Sequence, residues 1–107
     1  MPKKKTPYLV RKDAHAAKEA AETLKAMAHP MRLRIVAILA EAQTHVNALA
    51  EELGTSQSTI SQQLRILRMR KLVTATRKDG HSVYRLDEPH LLQMLDCIDG
   101  WVQKDEA

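Results

Sequence analysis

Apolar residues recur along this chain at two different periods, and the change falls just after Leu72. Ahead of it the period is helical. Ala17, Ala20, Ala21, Leu24, Met27 and Ala28 predict a helix that Asp13 can N-cap and that runs to about Ala28. So many alanines on one face let another helix approach closely. His29-Pro30 breaks the pattern, and Pro30 suits the first turn of a second helix to about Ala42. Met31, Ile35, Ile38 and Leu39 form its stripe, and Leu33, Val36 and Ala37 widen it, so burial on more than one side is expected. After a short connection with Thr44 as the expected cap, a third helix spans Val46 to Leu53 with Val46, Leu49, Ala50 and Leu53 inward. Gly54 allows a left-handed C-cap. Ser56 caps a fourth helix whose stripe is Ile60, Leu64 and Leu67.

Ala50, Gly54 and Ile60 fall where a helix-turn-helix needs them. A small residue lets the two helices cross, glycine makes the turn, and a β-branched side chain fills the angle between them. Beyond Leu72 the period drops to two. Residues 73–78 and 81–86 flank Asp79-Gly80, a signal for a type I′ hairpin. A two-residue loop fixes the register: Lys78 faces His81, Ala75 faces Tyr84, and Val73 faces Leu86. Val73, Ala75, Tyr84 and Leu86 then share the core face, while Thr74, Thr76, Lys78, His81, Val83 and Arg85 take the other. Such a hairpin is marginal alone and must pack on helices. A final helix is expected from Asp87 or Glu88, with Pro89 in its first turn and Leu91, Leu92, Met94, Leu95, Ile98, Trp101 and Val102 at helical spacing. The fold class is therefore mainly α with a small β-hairpin, a winged helix-turn-helix of five helices.

Composition narrows this further. The chain has 107 residues, enough for one domain, and only 3% are aromatic, with no Phe, so the core is aliphatic. One cysteine excludes an intrachain disulfide and fits a reducing, cytoplasmic setting; Cys97 itself reads as a small buried hydrophobe. No apolar run long enough for a membrane span is present. Residues 1–12 form a basic tail of five Lys/Arg ahead of a single domain over 13–107. That tail can stay mobile, reach phosphates or a minor groove, or dock Tyr8, Leu9 and Val10 on the body.

Charge is segregated. Residues 56–86 carry a net +6, whereas residues 87–107 carry −5. Basic charge is thus concentrated around the fourth helix and the hairpin, as a polyanion-binding face requires. The fourth helix presents Ser56, Gln57, Ser58, Thr59, Ser61 and Gln62 at its N-terminal end, where base edges are reached. Gln63 and Arg65 are expected on flanking backbone, and Lys78 and His81 at the hairpin tip, supported by Arg77, on phosphate or in the minor groove. The first and last helices leave apolar surface over. Leu24 and Met27 with Leu91, Leu95, Ile98, Trp101 and Val102 are the expected homodimer contact. There is no Gly-rich phosphate loop and no nucleophile–base pair at telling spacing, so an enzyme is not expected, nor any cofactor. The five histidines (His15, His29, His45, His81 and His90) read as surface or capping groups.

Three segments, LKAMAHPMRLRIVAIL, LAEELGTSQSTISQQLRILR and LVTATRKDGHSVYRL, in this order and spacing resemble the ArsR-type family of small bacterial repressors. The similarity runs from about Leu24 to Val102. It implies a homodimer that binds double-stranded palindromic operator DNA and leaves it when an effector binds, the effector often being a metal or a thiol oxidant. This sequence departs from the family's sensing motifs. Where relatives carry Cys-x-Cys it has Thr44-His45-Val46-Asn47. Glu88-x-His90 matches half of a second metal motif, but Trp101 and Lys104 occupy the other half, so no metal site is expected. Cys97 has no partner cysteine in Met31–Ala42 for a sulfur switch. The reading is a sequence-specific DNA-binding repressor released by an unidentified signal. The alternative is a winged-helix protein adaptor or a non-specific DNA organiser.

Overall fold

The computed structural model describes residues 6–106, with side chains described as far as Gln103. Its elements follow in the order α1 (Leu9–Lys12), α2 (Ala14–Met27), α3 (Pro30–Glu41), α4 (Val46–Leu53), α5 (Gln57–Met69), β1 (Val73–Lys78), β2 (His81–Leu86) and α6 (His90–Glu106). This is the mainly helical winged helix-turn-helix expected, with one added turn, α1, at the end of the basic segment. Lys3, Lys4 and Lys5 of that segment lie outside the described residues.

Local chemistry sets most of the boundaries. The Asp13 carboxylate accepts from the backbone N–H of His15 at 2.9 Å and of Ala16 at 3.1 Å, capping α2. His29 caps α3 through Nδ1, which accepts from the Met31 N–H at 3.1 Å. Thr44 does not cap α4, contrary to expectation. His45 does, through Nδ1 to the Ala48 N–H at 3.3 Å. The Thr44 backbone is engaged elsewhere. Its N–H donates to the Tyr84 carbonyl at 3.1 Å and its carbonyl accepts from the Tyr84 N–H at 2.7 Å. The turn between α3 and α4 is thereby sewn to the hairpin, a long-range pairing that local propensity does not reveal.

The core lies where α3, α4 and α5 meet. Ile35 and Val36 of α3, Leu49 of α4, and Ile60, Leu64 and Leu67 of α5 are all fully buried. The wide apolar stripe read in α3 is its cause, because α3 packs against α2, α4, α5 and β2 at once. The hairpin has the expected register, Val73↔Leu86 through Lys78↔His81. Asp79 and Gly80 have φ of 51° and 81°, the two left-handed residues of a type I′ turn. Val73 closes the core from below while its partner Leu86 is half-buried.

Three details differ from the sequence reading. Met27 of α2 is buried as expected, but its other buried residue is Ala26, while Ala21, Leu24 and the C-cap Ala28 are exposed. An alanine-rich helix fits inward by more than one face, and long-range packing chose the one with Ala26. The last helix begins at His90, after Pro89, because the Glu88 carboxylate turns back to accept from the His90 N–H at 2.8 Å. That backbone bond, with a second from the His90 ring, holds the Glu88 carboxyl below the ordinary carboxylate range. Cys97 is exposed rather than buried. The apolar stripe of α6 turns it towards solvent along with Asp96 and Gly100.

Candidate nucleic-acid interface

The turn ahead of α5 is built by a glycine. Gly54 ends α4 at φ 64°, and the Thr55 N–H reaches back to the Ala50 carbonyl at 3.0 Å. Ser56 then starts α5. Its Oγ accepts from the Thr59 N–H at 3.1 Å and donates to Thr59 Oγ1 at 2.9 Å. These two hydroxyls hold the entry to the helix. Gln57, Ser58, Ser61, Gln62 and Arg65 are exposed, and positions 58, 61, 62 and 65 fall on one face at helical spacing. Opposite them the fully buried Ile60, Leu64 and Leu67 fix the helix to the core. Gln63 points the other way; it is half-buried, and its Oε1 has no partner among the described residues.

The wing carries the remaining candidate contacts. Arg77, Lys78 and His81 are exposed at its tip. Arg85 donates from Nη1 to Thr76 Oγ1 at 3.0 Å, tying the two strands together on the outer side. The His81 ring lies 6.2 Å from that of His45, so the wing tip sits beside the start of α4. The sequence reading missed this neighbourhood, because only the Thr44–Tyr84 pairing brings the two rings together. Arg70 also falls within the basic span of residues 56–86. In the structure Arg70 Nη2 turns back to α2, meeting Glu19 Oε2 at 3.3 Å and Thr23 Oγ1 at 3.1 Å. Arg70 braces the helix and does not add to the exposed face.

The residues expected at a dimer contact divide into two groups. Met27 and Leu91 are only 3% exposed and belong to the core of one protomer. Leu24, Trp101 and Val102 are exposed, by 73% for Trp101, and Leu95 and Ile98 are half-buried. The far half of α6 stands off the body, leaving an open groove of about 440 Å³ against α3 with Leu33, Ala37, Leu95, Ile98 and Val102 in its walls. The radius of gyration, 15.8 Å, exceeds the about 13 Å expected of a globular chain of this length.

Among the described residues no three His, Cys, Asp or Glu side chains converge as a metal would need. Glu88 and His90 are occupied with each other at 2.8 Å. No described helix is long and apolar enough to cross a membrane.

Comparison with known proteins agrees with this geometry. Residues 29–75 match the model of a family described as "Bacterial regulatory protein, arsR family". The chain is 43% identical to the HTH-type transcriptional regulator NmtR of Mycobacterium tuberculosis over 84 residues, 78% of this chain and 70% of that protein. It is 36% identical to the biofilm growth-associated repressor of Xylella fastidiosa over 93 residues, 86% and 82% of the two chains. Among solved structures, NolR from Sinorhizobium fredii superposes with a TM-score of 0.77 at 34% identity, covering 89% of this chain and 94% of that one.

Proposed function

The chain belongs to the arsR family of bacterial regulatory proteins, and from that premise we propose that it works as a homodimeric repressor reading a two-fold symmetric operator. It is a DNA-binding transcriptional regulator and not an enzyme. The proposal concerns how the DNA is read and in what assembly. One observation carries it. The polar residues of α5 stand exposed on a helix whose opposite face is fully buried, so the reading surface is held rigidly towards solvent.

In this reading Gln57, Ser58, Ser61 and Gln62 enter the major groove. Glutamine pairs bidentately with adenine, while serine takes several bases or phosphate. Arg65 neutralises flanking phosphate, and Arg77, Lys78 and His81 bring the wing tip to the next stretch of backbone. Ser56 and Thr59 act mainly by holding the helix start, where free N–H groups and the helix dipole favour a phosphate. Gln63 is withdrawn from the groove in this account, because it is half-buried.

Two protomers join through the far half of α6 and the exposed edge of α2. Leu24, Leu95, Ile98, Trp101 and Val102 are the contact residues; Met27 and Leu91 support it from within each core. An exposed Trp101 among apolar neighbours favours association, since aromatic anchors dominate such interfaces. The dimer sets the two copies of α5 about 34–36 Å apart, in successive major grooves on one side of the duplex. The protein acts in the cytoplasm and is released by a signal that the positions used by its relatives do not identify.

Selecting bound fragments from the source genome and footprinting them tests the reading. Two protected half-sites about one helical turn apart are expected, and they should survive competition with bulk DNA. Uniform coverage lost to that competitor would instead make the protein a DNA organiser.

A further inference from the structure

A groove of about 280 Å³ runs between α2 and the C-terminal half of α5, with α3 closing one end, beyond the turns of α5 that carry the expected base contacts. Three cations line it, Lys25, Arg32 and Arg70; Glu22 lines it beside Lys25, and Glu19 pairs with Arg70 at 3.3 Å, so Arg32 is the cation without an acid beside it. Lys25 and Glu22 meet on the rim at 3.6 Å. Arg70 is engaged only through Nη2, and its Nε is buried without a partner. Arg32 is in a more unusual position. It is half-buried, its Nε is fully enclosed, and it makes no hydrogen bond or ion pair with any described residue.

A guanidinium taken partly out of water with nothing to pair with is costly, and the cost falls when an anion arrives. A guanidinium fork matches a carboxylate or phosphate in two parallel bonds. Ala26, Ile66 and Met69 supply an apolar wall beside these charges, and Met69 is largely exposed, so an apolar body gains by covering it. The volume lies just below the range of about 300–1,000 Å³ typical of ligand pockets, which restricts the guest to a small molecule.

We infer that this groove is a binding site for a small organic anion, a carboxylate or phosphate ester carrying a short apolar group. Arg32 takes the anionic head and Arg70 flanks it. Ile66 and Met69 hold the apolar part. Both belong to the helix whose exposed face carries the expected base contacts, so filling the groove bears on the seating of α5 against α2. That regulatory consequence rests on the DNA reading proposed above. The binding itself does not, and its test needs no DNA.

The test uses the full chain with ¹⁵N-labelled arginine side chains and backbone, titrated with sodium benzoate and, separately, inorganic phosphate, against sodium chloride at equal ionic strength. The expected result is a saturating shift of the Arg32 Nε–H and of the Ile66 and Met69 amides with benzoate or phosphate and not with chloride. The tighter of the two probes distinguishes a carboxylate from a phosphate guest. Arg32→Gln should weaken the tighter probe by about tenfold or more. Lys25→Gln, an exposed change that leaves the core intact, should weaken it by about threefold or less. Shifts that track ionic strength alone would overturn the inference, as would saturation unchanged by both substitutions. Arg32 shifts that follow protein concentration and ignore benzoate would also overturn it, because the acidic α6 of a second copy would then be the occupant.

Discussion

Helices α5 and α6 are both amphipathic, yet the protomer completes only one of them. Every stripe residue of α5 that faces inward, Ile60, Leu64 and Leu67, is fully enclosed by α3, α4 and the hairpin. In α6 only Leu91 is buried, and not fully, while Leu92, Trp101 and Val102 remain exposed. The sequence patterns look alike, so the difference is one of neighbours. Helix α5 has its inward stripe filled, leaves only Met69 exposed among its apolar residues, and presents the polar face proposed to read DNA. Helix α6 buries Leu91, half-buries Met94, Leu95 and Ile98, and leaves its far end open, the face proposed above to meet another chain. On the proposed reading, the DNA-reading unit is finished within one protomer, whereas the assembly unit is not.

The largest effect should come from breaking the finished side. Leu64→Ala removes a fully buried side chain and is expected to cost about 2–5 kcal/mol in urea unfolding, enough to unfold much of a marginal domain. The same truncation at exposed Leu92 should leave the unfolding midpoint of a protomer nearly unchanged. Next comes Trp101→Asp, which sets a charge into the proposed contact. Sedimentation should report a monomer, with a loss of about 2 kcal/mol or more of association energy and unaltered helix content. Retention of the dimer would move the interface elsewhere.

Smaller effects separate the roles on the reading face. Arg65→Gln should weaken all duplex sequences alike and lower the slope of log affinity against log salt by about one. Its ranking of operators should not change. Lys71 offers a stabilising change. It follows α5 at φ 60°, a left-handed conformation that favours glycine, while the Leu72 N–H closes onto the Leu67 carbonyl at 3.0 Å. Lys71→Gly should raise stability by about 0.5–1 kcal/mol in thermal melts, with DNA affinity lowered only by the lost charge.

Features decided by neighbours in sequence could be read directly. The hairpin register followed from a two-residue Asp79-Gly80 loop, and the helix-turn-helix followed from Ala50, Gly54 and Ile60. The exposed positions of the candidate DNA face followed from the stripe opposite them. Features decided at long range could not be read. Thr44 looks like a cap as much as His45 does until Tyr84 claims its backbone. Ala21 and Leu24 suit an inward face beside Met27 as well as Ala26 does, and only the packing of α3 and α5 separates them. Arg70 counts as surface charge in any tally along the chain, although Glu19 and Thr23 have drawn it back. Cys97 looked buried because its neighbours Met94 and Ile98 are apolar, but it sits between them on the outer side.

The central claim is that the exposed polar face of α5 reads bases. Its most direct measurement is the affinity ratio between a selected operator and a scrambled duplex, for the wild-type chain and for Gln62→Ala, at one salt concentration. Loss of a bidentate base contact in each half-site is worth about 1–3 kcal/mol, so the ratio should fall at least about tenfold while the melting temperature stays constant. A ratio unchanged by Gln62→Ala would contradict the claim and move base readout off this helix face.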